Sequence, residues 1–188
     1  MEEVRERVFT VIQNYLKTPP VIIWGSGATV PFGLPSMNTL NQILKDNIPD
    51  FDNNCDNLEI ELGKEKYNDL MPQIRNLIWN AISTVDSQVL QNLLISDGDE
   101  FIGIKKLVEK ISDAHPKVTN IITTNYDRII ENVLSFHNIP FTDGFLGKDL
   151  SLFNENLFSS KNIVNIVKVH GSLNWFEFGG EIRYLQNV

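Results

Sequence analysis

The chain has 188 residues, 42% hydrophobic and 21% charged, which is ordinary for one soluble globular core with room for an insertion. Its formal net charge of −8 comes from scattered acids, so a nucleic-acid groove, which needs clustered Lys and Arg, is not expected. The single cysteine, Cys55, excludes an internal disulfide and a multi-cysteine zinc site, and an unpaired thiol suits a reducing compartment. No apolar run approaches the roughly 20 residues of a membrane span. The opening MEEVRERVF lacks the apolar stretch of a signal peptide, so a cytoplasmic location is expected.

Val4, Val8, Val11, Ile12 and Tyr15 recur at helical spacing, which predicts an amphipathic helix over 2–16 ended by Pro19 and Pro20. Val21 to Trp24 is a continuous apolar run of the kind buried in a parallel sheet. It runs into Gly25-Ser26-Gly27, where glycines let backbone N–H groups come close to a ligand, as in a phosphate-facing loop. Ser36 is placed as an N-cap, and Leu40, Ile43 and Leu44 predict a helix over 37–47. Strand, glycine turn and helix in this order suit a βαβ nucleotide fold. The dinucleotide fingerprint GxGxxG, however, would need glycine at position 30 and finds Val30; the third glycine arrives at Gly33.

Residues 50–98 have a different pattern. Leu58, Ile60 and Leu62 sit among acids, and a dense helical pattern then runs from Ile74 to Leu94. Polar breaks at Asp52-Asn53-Asn54 and Asp97-Gly98-Asp99 bracket the block, which predicts an all-helical insertion of two or three helices beside the sheet. Asp99 can cap a further helix carrying Phe101, Ile104, Leu107, Val108 and Ile111. His115-Pro116 starts a turn. Val118 to Thr123 is a β-branched strand that enters Thr124-Asn125-Tyr126-Asp127, followed by a helix with Ile129, Ile130, Val133 and Leu134. Ile139 to Phe141 reads as a short strand and 142–161 as a polar, glycine-containing loop. Ile163 to Val169 is the third strong strand and ends at His170-Gly171. The expected fold is α/β: a Rossmann-like parallel sheet with helices on both faces and an all-helical insertion, in a single domain.

Each strong strand thus ends in chemistry: Gly-Ser-Gly, Asn-x-Asp and His-Gly. Ligands of open parallel sheets bind at the carboxyl ends of the strands. Parallel neighbours would therefore bring Ser26, Asn125, Asp127 and His170 to one crevice. Taken singly, each residue has a plainer role. Gly25 and Gly27 can serve a tight turn, Asp127 can cap the next helix, Asn125 can brace its loop, and His170 can be a packed or surface histidine. Trp24, Trp79 and Trp175 read as apolar anchors, and Tyr126 as a packing residue. His115, His137 and Cys55 read as incidental.

These motifs resemble the sirtuin-like NAD-consuming family. The signature GAGxS, three residues, then GIPDFR is matched in spacing by Gly25-Ser26-Gly27-Ala28-Thr29, Val30-Pro31-Phe32 and Gly33-Leu34-Pro35. TQNxD corresponds to Thr123-Thr124-Asn125-Tyr126-Asp127, and the strand ending in His-Gly to Val167 through Gly171. The form HGSLNW over 170–175, with Asp143-Gly144-Phe145 before it, is most similar to the bacterial branch associated with antiviral defence. The resemblance implies that Gly25, Ser26, Gly27, Ala28 and Thr29 cradle the pyrophosphate of NAD at a helix N-terminus. It further implies that Thr124 and Asp127 help bind NAD, Asp127 through the carboxamide, and that Asn125 and His170 are catalytic. An imidazole, which titrates near neutrality, suits the role of base. The sequence departs from the family where DFR becomes Ser36-Met37-Asn38 and TQN becomes TTN, and it lacks the zinc-binding cysteine pairs. The family's later GTS motif and final strands have no counterpart here, so the resemblance covers the N-terminal two-thirds of such a domain. Together these features imply cleavage of NAD, as substrate, to nicotinamide and ADP-ribose, with no metal and no protein deacylation. The implied setting is anti-phage NAD depletion, controlled by homo-oligomerisation or by a partner protein. The alternative is a non-catalytic sensor that binds NAD or ADP-ribose.

Overall fold

A computed structural model describes residues 2–17, 21–52, 57–113, 118–147, 149–160 and 162–186. Pro19 and Pro20, Asn53 and Asn54 of the first polar break, Cys55, and the His115-Pro116 turn lie outside the described residues. In chain order, helix α1 (Glu2–Leu16) precedes strand β1 (Val21–Trp24), and two 3-10 turns lead to α2 (Met37–Asn47). The Ser36 hydroxyl accepts from the Thr39 N–H at 3.2 Å, so α2 starts at the cap that the sequence predicts. Next come α3 (Leu58–Leu62), a 3-10 stretch over Glu65–Leu70, and α4 (Met71–Ile95). The chain continues through α5 (Ile102–Ser112), β2 (Thr119–Thr123), α6 (Ile129–Phe136) and β3 (Phe141–Thr142). Five strands complete it: β4 (Phe145–Leu146), β5 (Leu150–Phe153), β6 (Val164–Lys168), β7 (Trp175–Phe178) and β8 (Glu181–Leu185).

The central sheet has the order β1-β2-β6-β3, and all its pairs are parallel. Its middle strands are the β-branched runs, and Ile121 and Ile166 are fully buried between layers of helices. Leu40 and Leu44 of α2, Ile104 and Val108 of α5, and Ile129, Ile130, Val133 and Leu134 of α6 contribute the helical side of the core. The α/β, Rossmann-like expectation therefore holds.

The 50–98 block is helical, as expected, and one expectation changes, at 142–161. The helical block is dominated by one helix of 25 residues, α4, which buries Ile74, Ile82, Asp86, Val89 and Leu93 along one face, with the short α3 and a 3-10 stretch before it. The 142–161 segment is not simply a loop. It supplies β4 and β5 to a second, antiparallel sheet of order β4-β5-β8-β7, in which Leu150 pairs Leu185 and Trp175 pairs Tyr184. Helix α1 forms over 2–16 as expected, and its apolar stripe is exposed at Val4, Val8, Val11, Ile12 and Tyr15.

Candidate functional site

Sheet register builds the site. Trp24 pairs Thr123, and Thr123 pairs Lys168, so the three strands end in one row. The residues just past that row are Gly25, Thr124 and Val169-His170, and the Val169 N–H donates to the Thr123 carbonyl at 3.0 Å. Ser26, Thr29, Thr124, Asn125, Asp127 and His170 all line one cavity of about 410 Å³. Gly25, Gly27 and Ala28 form the turn beside it rather than its wall.

The first two glycines are not needed for backbone conformation. Gly25 has φ −102°, and neither it nor Gly27 adopts a positive φ. A Cβ built on either would meet no atom within 4 Å. The glycines therefore leave open space beside the loop, as a close-approaching ligand requires. Gly33 is the one that must be glycine for its backbone, with φ 92° closing the second 3-10 turn. Pro31 in that turn and left-handed Gly33 delay the α-helix to Met37. The loop consequently does not open directly on an α-helix N-terminus, contrary to expectation. Ala28 and Thr29 spend their N–H groups on the Gly25 and Ser26 carbonyls, at 3.0 Å each. The first-turn N–H groups of Ser26 and Gly27 are the ones left for an anion.

Side chains tie the loops together. Buried Asn125 donates through Nδ2 to Thr29 Oγ1 at 3.2 Å, and Thr29 Oγ1 donates to the Ser26 carbonyl at 3.1 Å. The Asn125 N–H donates to Thr123 Oγ1 at 3.0 Å. Asp127 accepts from the Ile129 N–H at 3.2 Å, so it serves the start of α6 while facing the cavity. Burial pushes the Asp127 carboxyl above its ordinary range, and the nearby Lys168 charge opposes that shift. Lys168 is itself buried; its Nζ donates to the Asp127 carbonyl and to Glu131 Oε1, the latter at 2.8 Å. Arg128 donates its backbone N–H, Nε and Nη2 to Asp86 of α4 at 2.6, 2.9 and 2.7 Å. His170 is exposed at the mouth, and the loop after it is held by the Leu173 N–H donating to the Tyr126 carbonyl at 3.0 Å. Trp79 Nε1 donates to the Leu173 carbonyl at 3.1 Å, which links that loop to α4 as well.

Sequence reading missed the fourth wall. Asn57, Leu58, Glu59 and Leu62 of the α3 segment close the cavity opposite the strand ends. That segment is organised by buried Glu61, which accepts from Lys64, from Tyr67 Oη at 2.7 Å and from Lys66 at 3.0 Å. These partners, Lys64 foremost, pull the Glu61 carboxyl down to about 2. Asn57 caps LEIEL, its side chain accepting from the Glu59 and Ile60 N–H groups, and nothing local in the sequence pointed that helix at the cavity. Tyr126 also lines the cavity instead of packing away from it. Among the described residues no group of three or more His, Cys, Asp or Glu side chains could hold a metal ion. None of their helices is long and apolar enough to cross a membrane.

A parallel sheet whose strand ends bring a glycine loop, an amide, a carboxylate and an imidazole to one cavity has the arrangement in which open α/β sheets bind their ligands. A family model described as SIR2-like domain matches residues 119–184, from β2 into β8, so this stretch is similar to sirtuin-like domains. The matched stretch holds Asn125, Asp127 and His170; the glycine loop lies outside it and joins through the Asn125–Thr29 bond. No curated protein matches the chain.

Proposed function

We propose that the domain hydrolyses NAD to nicotinamide and ADP-ribose. The observation carrying this reading is that Asn125, Asp127 and His170 share one cavity with Ser26 and Thr29. The open space at Gly25 and Gly27, with the Ser26 and Gly27 N–H groups, fits the pyrophosphate. Asp127 accepts a hydrogen bond from the carboxamide. Asn125, whose Nδ2 is committed to Thr29, offers its carbonyl oxygen to the ribose and the attacking water.

Nicotinamide leaves as a neutral molecule from a cationic ring, so the reaction needs no strong general acid. The water oxygen bonds to the ribose C1′, the bonding pair of the broken C–N bond departs with nicotinamide, and the water proton passes to His170. We further propose, from the likeness of HGSLNW to the defence branch, that the reaction depletes NAD during phage infection under control of self-assembly or a partner.

Nicotinamide release by the longest natural form of the protein tests the assignment. His170→Ala and Asn125→Ala are each expected to lower the rate by about 100- to 10,000-fold while circular dichroism stays unchanged. Full activity in both variants would remove the two residues from the chemistry. NAD binding without release in the unaltered protein would make the domain a sensor.

A further inference from the structure

A second cavity, about 520 Å³, adjoins the first and shares Ile78, Ile82, Tyr126 and His170 with it. One wall is α4, with Ile78, Trp79 and Ile82; the other is the HGSLNW segment and the β7–β8 hairpin, with Leu173, Trp175 and Ile182. Apart from His170, its only charged or titratable lining groups are the Tyr126 phenol and the exposed guanidinium of Arg75. In a chain with 24 acids against 16 bases, Arg75 makes no salt bridge among the described residues. The indole N–H of Trp175 is buried and likewise has no hydrogen-bond partner among them. Trp79 and Trp175, expected as core anchors, are both only partly buried and face this space.

We propose that this second cavity binds a small carboxylate whose body is an apolar ring, with the ring between Trp79 and Trp175 and the carboxylate on Arg75. Each part of that ligand answers a feature of the wall. A flat apolar body suits two indoles and four aliphatic side chains. A planar carboxylate suits an unpaired guanidinium, which can hold it through two parallel N–H donors. Because His170 belongs to both cavities, a bound acid lies against the histidine that the proposed hydrolysis uses, and water reaches that face less freely. This last consequence rests on the NAD reading; binding itself does not.

Tryptophan fluorescence of the whole chain, titrated with phenylacetate and with its neutral amide phenylacetamide in the absence of NAD, tests the site. Phenylacetate is expected to quench, and to bind about three- to tenfold more tightly than the amide, as a charge-assisted bond at a half-solvated rim allows. Arg75→Gln should erase that preference and keep the amide affinity. Trp79→Phe and Trp175→Phe should each diminish the quench, whereas Trp24→Phe should preserve it. Equal affinity for acid and amide, a preference that survives Arg75→Gln, or no quench up to millimolar phenylacetate would overturn the proposal.

Nicotinamide release followed in parallel should fall with the same midpoint as the quench. Release unaffected at saturating phenylacetate would overturn the shared wall and leave the NAD reading standing. Absence of release with or without the acid would count against the NAD reading and leave the binding result intact.

Discussion

The loop that carries Thr124, Asn125 and Asp127 is anchored from behind, and Asp86→Ala measures how much that anchor matters. Asp86 is 0% exposed on α4 and takes three hydrogen bonds from Arg128, two from the guanidinium and one from the backbone N–H. Arg128 is only 16% exposed, so the alanine variant leaves a nearly buried guanidinium without its anion and an N–H without its acceptor. Removing one partner of such a pair costs about 3–5 kcal/mol. At about 2–4 °C per kcal/mol for a chain of this size, the melting temperature should drop by roughly 6–20 °C.

The double variant Asp86→Leu/Arg128→Met separates charge from position. It removes the stranded cation, so most of the stability should return. It does not restore an acceptor for the residue 128 N–H, so the 124–127 loop stays loosely held and NAD cleavage stays low. Differential scanning calorimetry and nicotinamide release on the same samples give both numbers. A single-variant loss below about 1 kcal/mol, the range of an exposed pair, would refute the clamp. Recovery of full activity in the double variant would refute its role in positioning the loop.

Gly25→Ala should fold with an unchanged melting temperature, because φ −102° suits alanine and its methyl meets no protein atom within 4 Å, yet NAD binding followed by calorimetry should weaken as the methyl enters ligand space. Gly33→Ala should do the reverse, destabilising by about 1 kcal/mol or more through its positive φ while acting on NAD only through the fold. Because burial raises Asp127, the acid limb of kcat/KM should fall above the ordinary 3.8 of that carboxyl, and Asp127→Asn should abolish the limb along with most of the rate. Glu61 is lowered from 4.5 to about 2, so its contribution is complete above 4.5 and is lost as pH falls toward 2. Acid unfolding followed by tryptophan fluorescence should accordingly lose that dependence in Glu61→Gln.

The parts of the fold that were legible are those set by local chemistry. The VIIW, TNIIT and VNIVK strands are rich in apolar and β-branched residues, and parallel pairing aligns their carboxyl ends. Helix 37–47 carries its own cap, Ser36. The antiparallel sheet was not legible because β4 and β5 sit in a polar, glycine-containing stretch. Leu146, Leu150, Leu152 and Phe153 remain exposed, and the partners of β5 arrive more than 30 residues later in β8, so no alternation announced the pairing. The α3 wall was hidden for a related reason: the Glu61 hub is local, but its placement over the strand ends depends on packing against distant residues.

The glycine loop shows the deeper difficulty. Gly25 and Gly33 are the same letter, and a fingerprint that counts glycines treats them alike. Only φ separates them: −102° at Gly25, where the missing side chain leaves room for a ligand, and 92° at Gly33, where the backbone itself requires glycine. Val30 in the fingerprint position is therefore no damage to a dinucleotide loop. The chain turns through Pro31 and Gly33 instead of entering a helix at once, and the donors left for an anion narrow from a helix terminus to two N–H groups, those of Ser26 and Gly27. On the proposed NAD reading, such a site would grip the pyrophosphate less firmly than a helix N-terminus does, and more of the specificity would fall to Asn125, Asp127 and His170 of the same cavity.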